Sequence, residues 1–244
     1  MSNSIKYKYT PLKELRANAK ERLLGSMGAC VLVTFLFAVA KFTLMMCSST
    51  TMLANGILGV VINQIADFIT SGFLGIFQVI VCSFFLRLYS SKSFSGPNPE
   101  QIRMSTPDKI IIITLLISAI QLIVSLPYLI YGYFIMEDTL EGYVILFGLF
   151  FAVNLISYLV TLPFAFVYLV LSDMPYLNIK QTIKMSAFLM KGNYLRYIGM
   201  QLSLLPVTIL SIISFGIGFL WASPYINLSN IALYSDISNK KAGN

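Results

Sequence analysis

The feature of this sequence that most constrains its fold is a set of long apolar runs that contain almost no charge. Of the 17 Lys and Arg residues, 16 fall between these runs, at 1–25, 87–109, 180–196 and 240–241. About 20 apolar residues span the hydrocarbon core of a bilayer as a helix. Only 11% of the residues are charged, whereas soluble domains have about 25%. We therefore predict an all-α, polytopic transmembrane helical bundle.

The apolar runs divide into a series of candidate membrane spans. We predict about six, over residues 26–46, 72–89, 110–135, 142–171, 195–214 and 217–235. Pro224 and three polar residues interrupt the last run, and without it the chain has five spans. Pro127 is expected to kink the third span, and the fourth contains Pro163. Residues 26–235 together form one predicted transmembrane domain.

The apolar run from residue 57 to residue 89 is too long for one straight span. Ser71 and Gly72 in its middle predict a break. The break would leave 57–70 as an amphipathic or partly inserted helix and 72–89 as the second span. A single long tilted helix is the alternative.

Two basic amphipathic segments accompany the spans. Residues 1–25 form the first, in which Thr10 and Pro11 are typical of an N-cap and first turn, and Gly25 ends the helix. Residues 173–193 form the second. Both helices are expected on the inner membrane surface, because their cations favour anionic lipid headgroups. The candidate contacts for such lipids, or for a protein partner, are Lys13, Arg16, Lys20, Lys180, Lys184 and Lys191.

The basic residues also predict how the chain is threaded, because Lys and Arg are retained on the cytoplasmic side of membrane spans. With six spans, all 16 clustered basic residues lie on one side. Both termini are then cytoplasmic, 236–244 is a cytoplasmic tail, and the acidic loop at 137–141 lies outside. We attribute the net charge of +7 to this topology and to lipid contact. We therefore expect a multi-pass protein of the cell membrane and no nucleic-acid partner.

A polar stripe within an apolar segment is the candidate site. Lys41 and Asp67 are the charges in membrane-facing stretches, where an ionisable group is costly and usually functional. Asp67 shares a helical face with Asn63, Gln64, Thr70 and Ser71. We hypothesise that Lys41 pairs with Asp67, and that the stripe lines a polar cavity opening outward. The alternative is that Lys41 extends to the outer interface while the stripe lies along the outer surface.

The last span carries a second polar stripe, formed by Ser223, Asn227 and Asn230. Polar side chains within membrane spans often join neighbouring helices by hydrogen bonds. We favour that role over a solute pathway.

The residues that most enzymes use are absent from this sequence. It contains no His, which is the usual general base and the commonest metal ligand. Neither a nucleophile elbow, a P-loop nor a dinucleotide fingerprint occurs. Cys30, Cys47 and Cys82 have no spacing that indicates a disulfide framework or a zinc site. We therefore predict no enzymatic activity, no cofactor, and no catalytic or metal-binding residue.

Two segments resemble an uncharacterised bacterial integral membrane protein family, DUF975. The first is 14–25, and the second runs from 171 through 194 and ends with 215–225. The second includes Asp173-Met174-Pro175 and Met190-Lys191-Gly192-Asn193-Tyr194. The resemblance implies a six-span membrane protein, distantly similar to the membrane domain attached to some glycerophosphodiester phosphodiesterases. It implies no catalytic residues.

Two functions are expected from these features. The first is a non-enzymatic accessory or scaffold protein of the bacterial cell envelope, acting in export, immunity or membrane maintenance. Its basic helices would bind anionic lipid or a membrane or cytoplasmic protein. The alternative is a small transporter or permease-like subunit that uses the polar stripe around Asp67. The sequence predicts no oligomeric state.

Overall fold

The computed structural model describes residues 9–49, 56–90, 107–135, 139–214 and 216–242, which form helices and turns without any strand. The helices, in chain order, are α1 (Leu12–Gly25), α2 (Met27–Ser49), α3 (Gly56–Ser90), α4 (Pro107–Ile130), α5 (Leu140–Thr161), α6 (Val167–Asp173), α7 (Ile179–Met190), α8 (Tyr194–Ile213) and α9 (Phe219–Ala242). The all-α prediction is confirmed. Residues 1–8, 137–138 and 243–244 of the predicted tails and acidic loop lie outside the described residues.

Five stretches of the described chain are long and apolar enough to cross a membrane: Met27–Met46, Val61–Ser90, Pro107–Ile135, Leu140–Asp173 and Tyr194–Ile213. The predicted polytopic membrane bundle is thus confirmed. α9 covers the predicted sixth span with 24 residues but is not one of these stretches. Its Asn227, Asn230 and Asp236 make it more polar than the other long helices. The apolar lengths alone therefore give five candidate spans, although α9 runs back along α8 from the turn at Gly216 to Lys191, as a sixth span would.

The predicted break at Ser71 and Gly72 is wrong, because α3 is one continuous helix of 35 residues. The Ser71 hydroxyl donates to the carbonyl of Phe68 in the preceding turn, 2.7 Å away, so it is accommodated within the helix. Gly72 is buried, and a Cβ there would lie 3.6 Å from the Leu115 side chain of α4. At 1.5 Å per residue, α3 is about 52 Å long. α3 is therefore longer than the hydrocarbon core of a bilayer is thick, as in the alternative of a single long tilted helix.

Two prolines change the regular helical geometry of the third and fourth spans. Pro127 lies inside α4 and is followed by a π-helical turn, Tyr131–Ile135. Prolines and π-turns are the usual sites of helix kinks. The π-helical turn that follows Pro127 is thus a departure from regular α-helix close to the predicted kink. In the fourth span, α5 ends at Thr161, a 3₁₀ turn covers Leu162–Phe164, and α6 follows. The run predicted as one span is therefore interrupted at Pro163.

The two basic helices differ from their predicted form. The second is shorter than 173–193: it begins at Ile179, after a capping box between Asn178 and Gln181, and ends at Met190. α1 ends at Gly25 as predicted, but it is not a free surface helix. Its apolar stripe, Leu15, Ala19 and Leu23, is buried in the main core together with residues of α9. Protein contact therefore replaces the predicted membrane contact along this stripe.

α8 and α9 form an antiparallel pair. The turn between them includes Gly216 with a φ of 85°, a left-handed conformation that favours glycine. The Gln201 amide of α8 donates to the Asn230 oxygen of α9 at 2.8 Å, which is the interhelical role predicted for this stripe. α9 continues through residues 236–242, so most of the predicted C-terminal tail is helical.

The described basic segments meet at one end of the bundle, which we call the basic end. The Lys109 amine at the start of α4 donates to the carbonyl of Pro175, after α6, at 3.3 Å. The Lys241 amine at the end of α9 donates to the carbonyl of Lys191, after α7, at 3.0 Å. The end of α2 and the starts of α3 and α5 lie at the opposite end.

Candidate functional site

A polar groove lies between α3, α4 and α5, towards the end opposite the basic end. Its cavity volume is about 490 Å³. The polar side chains that line it are Gln64, Asp67, Ser71, Ser118, Gln121, Ser125, Tyr128, Asn154 and Ser157. We call this feature the Asp67 groove. Phe68, Leu122 and Phe150 are among the apolar residues that complete its wall.

The polar residues of the groove follow one spacing on successive helices. On α3, Gln64 is followed by polar residues three and seven positions later, at Asp67 and Ser71. On α4 the same spacing relates Ser118, Gln121 and Ser125. On α5, Asn154 and Ser157 are three residues apart. Residues three, four and seven apart share one face of a helix, so three antiparallel helices present their polar faces to a common space.

At the side of the groove nearest the basic end, one hydrogen bond joins α3 and α4. The Ser118 hydroxyl of α4 donates to the Ser71 hydroxyl of α3 at 2.8 Å. On the α5 side, the Asn154 amide donates to the carbonyl of Phe150 at 2.7 Å. The Asn154 carbonyl oxygen accordingly remains an acceptor, and the groove offers both hydroxyl and amide oxygen atoms.

Asp67 is the charged residue of this groove, and its side chain is exposed. Arg196 and Asp236 form an ion pair, whereas Asp67 makes none within the described residues. A carboxylate surrounded by hydroxyl and amide groups attracts a cation and leaves polar groups to replace part of its hydration shell. The groove is therefore suited to a cation.

The structure brings together part of the predicted site. Asp67, Ser71 and Gln64 line the groove, whereas Asn63, although half-buried, does not. Lys41 of α2 is exposed, does not line the groove, and makes no ion pair with Asp67 among the described residues. The hypothesis that the stripe lines a polar cavity agrees with the geometry, while the proposed Lys41 partner does not.

The sequence reasoning missed the groove residues of α4 and α5. Ser118, Gln121 and Asn154 lie inside predicted spans, and a single polar residue within an apolar run does not by itself indicate a site. The signal that would have found them is the spacing of three and seven residues that they share with Asp67 and its neighbours. Comparing the polar faces of all spans would have predicted a groove between three helices.

A second, smaller polar cavity lies in the core, closer to the basic end. Its volume is about 80 Å³. The polar residues that line it are Gln78, Cys82, Tyr168, Tyr197, Asn227 and Asn230. Between this core cavity and the Asp67 groove, α3 and α4 are in close contact at Gly75 and Thr114. The Tyr168 hydroxyl donates to the Thr114 hydroxyl at 3.2 Å, which links the wall of the core cavity to that contact.

The basic candidates occupy different environments. Lys13, Lys20, Lys180, Lys184 and Lys191 are all exposed. Arg16, by contrast, is half-buried and donates to the carbonyl of Ser203 in α8 at 3.1 Å. At the basic end, desolvation and then the nearby charge of Lys191 lower the pKa of the Lys241 amine. The exposed lysines are the ones available to anionic headgroups.

A polar cluster at the basic end holds the start of the described chain. Arg196 and Asp236 form an ion pair of 2.6 Å with side chains that are 14% and 15% exposed. Thr10 donates its hydroxyl to Asp236 at 2.6 Å and accepts from Arg196 at its carbonyl, also at 2.6 Å. The cluster fixes the segment before α1 between α8 and α9, so its charges serve the fold.

A family model described as a protein of unknown function, DUF975, matches residues 9–241. No curated protein matches the chain. No solved structure matches it either.

Proposed function

For this chain, which belongs to the DUF975 family of unknown function, we propose that the Asp67 groove binds a cationic solute. The protein would be a non-enzymatic, multi-pass protein of the bacterial cell membrane that acts as a small transporter or permease-like subunit. The observation that carries this proposal is the exposed carboxylate of Asp67 among hydroxyl and amide groups contributed by three helices.

The proposal has a physical basis in the cost of a charge among apolar helices. Asp67 lies within the apolar stretch Val61–Ser90, where an ionised carboxylate is disfavoured unless it meets water, protein partners or a ligand. Hydroxyl and amide oxygen atoms near it substitute for water around a bound cation. A bound cation would offset the free-energy cost of an ionised carboxylate among apolar helices. The site would therefore bind positively charged solutes in preference to neutral or negatively charged ones.

We further propose that the basic end is cytoplasmic, with both termini on that side. The support is the gathering of described basic segments at this end, since positive residues are retained in the cytoplasm. The Asp67 groove would then lie nearer the outer face of the cell membrane. The contact of Gly75 with Thr114 would separate it from the core cavity.

The experiment measures binding of tetramethylammonium to the purified protein in nanodiscs. We expect binding to the wild type, a loss of affinity of about tenfold or more in Asp67→Asn, and recovery in Asp67→Glu. Asp108→Asn is the matched control, because Asp108 is exposed on α4 at the basic end and does not line the groove. Equal binding by Asp67→Asn and wild type would exclude this function.

A second candidate is the accessory or scaffold role, favoured by the exposed Lys180, Lys184 and Lys191. These cations would hold anionic lipid or an acidic partner protein at the cytoplasmic surface. Under this function, Asp67→Asn is tolerated, whereas charge reversal of the three lysines releases the lipid or partner. Affinity purification of both variants from the native membrane, with proteomics and lipid mass spectrometry, separates the two functions.

A further inference from the structure

The α3–α4 pair has a second groove on the side away from α5. Its cavity volume is about 620 Å³, and its lining is almost entirely apolar. Val61, Ile65 and Ile69 contribute from α3, and Ala119, Leu126 and Ile130 contribute from α4. No charged side chain lines it among the described residues. We call it the apolar groove.

The polar and apolar grooves meet across the seam between α3 and α4. Four residues line both of them: Gln64, Phe68, Leu122 and Leu129. Two are on α3 and two on α4, so a single layer of side chains separates the two spaces. Nearer the basic end, the same helices approach too closely for side chains to lie between them, because a Cβ at Gly75 would overlap the side chain of Thr114.

This arrangement places opposite chemistries within the length of one small molecule. Asp67 and the hydroxyl and amide groups lie on one side of the seam, and a hydrocarbon-like surface lies on the other. A simple inorganic or organic cation would use only the polar side. A molecule with a cationic head and one hydrocarbon chain would use both sides, and it would reach Asp67 from the bilayer without leaving an apolar environment.

We propose that the ligand of the Asp67 groove is a single-chain cationic amphiphile. Its ammonium head pairs with the Asp67 carboxylate, and its chain passes between the seam residues into the apolar groove. This inference rests on the proposed function and specifies the substrate class of the same site. Charge complementarity selects a cationic head, because Asp67 lines the polar groove and no charged side chain of the described residues lines the apolar groove.

The test compares dodecyltrimethylammonium with tetramethylammonium on the full chain in nanodiscs. Ala119→Trp fills the apolar groove without touching Asp67, since Ala119 lines only that groove. We expect it to lower the affinity for dodecyltrimethylammonium by about tenfold or more and to leave tetramethylammonium binding unchanged. Asp67→Asn should weaken the binding of both. Ile123→Trp is the control for the added ring, because Ile123 is 66% exposed and lines neither groove.

The outcomes separate this inference from the proposed function. If Ala119→Trp binds both cations like the wild type while Asp67→Asn binds neither, the site takes a cation without a chain and the amphiphile is excluded. If the wild type binds neither cation, the proposed function itself fails.

A second measurement uses the wild-type protein, so its result does not depend on whether a variant folds. A dodecyltrimethylammonium analogue with a photoreactive group at the end of its chain should label peptides containing 61–69 or 119–134. Labelling confined to α8 or α9 would overturn the proposal.

Discussion

Gly75 of α3 faces Thr114 of α4 so closely that a Cβ at position 75 would lie 2.0 Å from the Thr114 hydroxyl oxygen. That hydroxyl donates to the carbonyl of Ile110 at 2.8 Å and accepts from Tyr168 at 3.2 Å. Rotating the Thr114 side chain away would therefore break two hydrogen bonds. Glycine at position 75 is what allows α3 and α4 to approach each other here.

The first prediction is that Gly75→Ala destabilises the protein, because the added methyl forces α3 and α4 apart or displaces Thr114. We expect a loss of about 1–3 kcal/mol, as for overpacking in a well-packed core. Gly72→Ala is the matched control, since its Cβ would lie 3.6 Å from Leu115 in ordinary contact. Thermal unfolding in nanodiscs measures both variants. Equal stability of the two would show that the close approach at Gly75 is not maintained in the membrane.

The same glycines explain where the sequence-based prediction of α3 failed. Ser71 and Gly72 indicate a break when only neighbouring residues are considered, and glycine does weaken an isolated helix. The cause that decides the outcome lies on another helix, because α3 packs against α4 at Gly72 and Gly75, and Gly75 makes room for the Thr114 side chain. Contacts between helices cannot be inferred from local composition, so the run from 57 to 89 was divided.

The fold class, in contrast, was predictable, because the bilayer constrains each span separately. Every spanning segment must satisfy its own backbone hydrogen bonds and expose apolar side chains, and both requirements are visible in a window of about 20 residues. α1 was misjudged for the opposite reason. Leu15, Ala19 and Leu23 form an apolar stripe that fits either a membrane surface or α9, and the sequence does not distinguish these partners.

The candidate site was predictable on one helix only. The polar stripe of α3 was visible because Asp67 carries a charge within an apolar run. Gln121 and Asn154 carry none, and their positions beside Asp67 depend on how α4 and α5 pack against α3. The hypothesis that Lys41 pairs with Asp67 rests on both charges lying in membrane-facing stretches, which says nothing about the direction in which Lys41 points from α2.

The second prediction concerns the ion pair of Arg196 and Asp236 at the basic end. Asp236→Asn should cost about 3 kcal/mol, since a largely buried guanidinium then loses its charged partner. Arg196→Met should cost a similar amount for the reciprocal reason. The double variant should lose less than the sum of the two, because the residues act as one unit. Unfolding midpoints of the three variants provide the measurement, and strictly additive losses would contradict the pairing.

The third prediction tests the contact between α6 and α9 at Tyr234. Its hydroxyl donates to the Asp173 carboxylate at 2.8 Å, and the side chain is only 3% exposed. Tyr234→Phe should destabilise the protein by about 1.5–3 kcal/mol, the range for a hydrogen bond to a charged group. Tyr225→Phe on the same helix is the control, with an expected change within about 0.5 kcal/mol. Similar losses in both variants would mean that the bond to Asp173 contributes nothing specific.

The last prediction concerns the exposed lysines of α7 and its C-terminal end. Lys180, Lys184 and Lys191 should make the protein more stable in nanodiscs of phosphatidylglycerol than in nanodiscs of phosphatidylcholine, because the anionic headgroups contact them. Replacing all three by Glu should abolish this difference in unfolding temperature. Replacing them by Arg should preserve it, since the charge is kept. A difference that persists in the Glu variant would assign the lipid preference to other basic residues, and the accessory role would lose the surface that supports it.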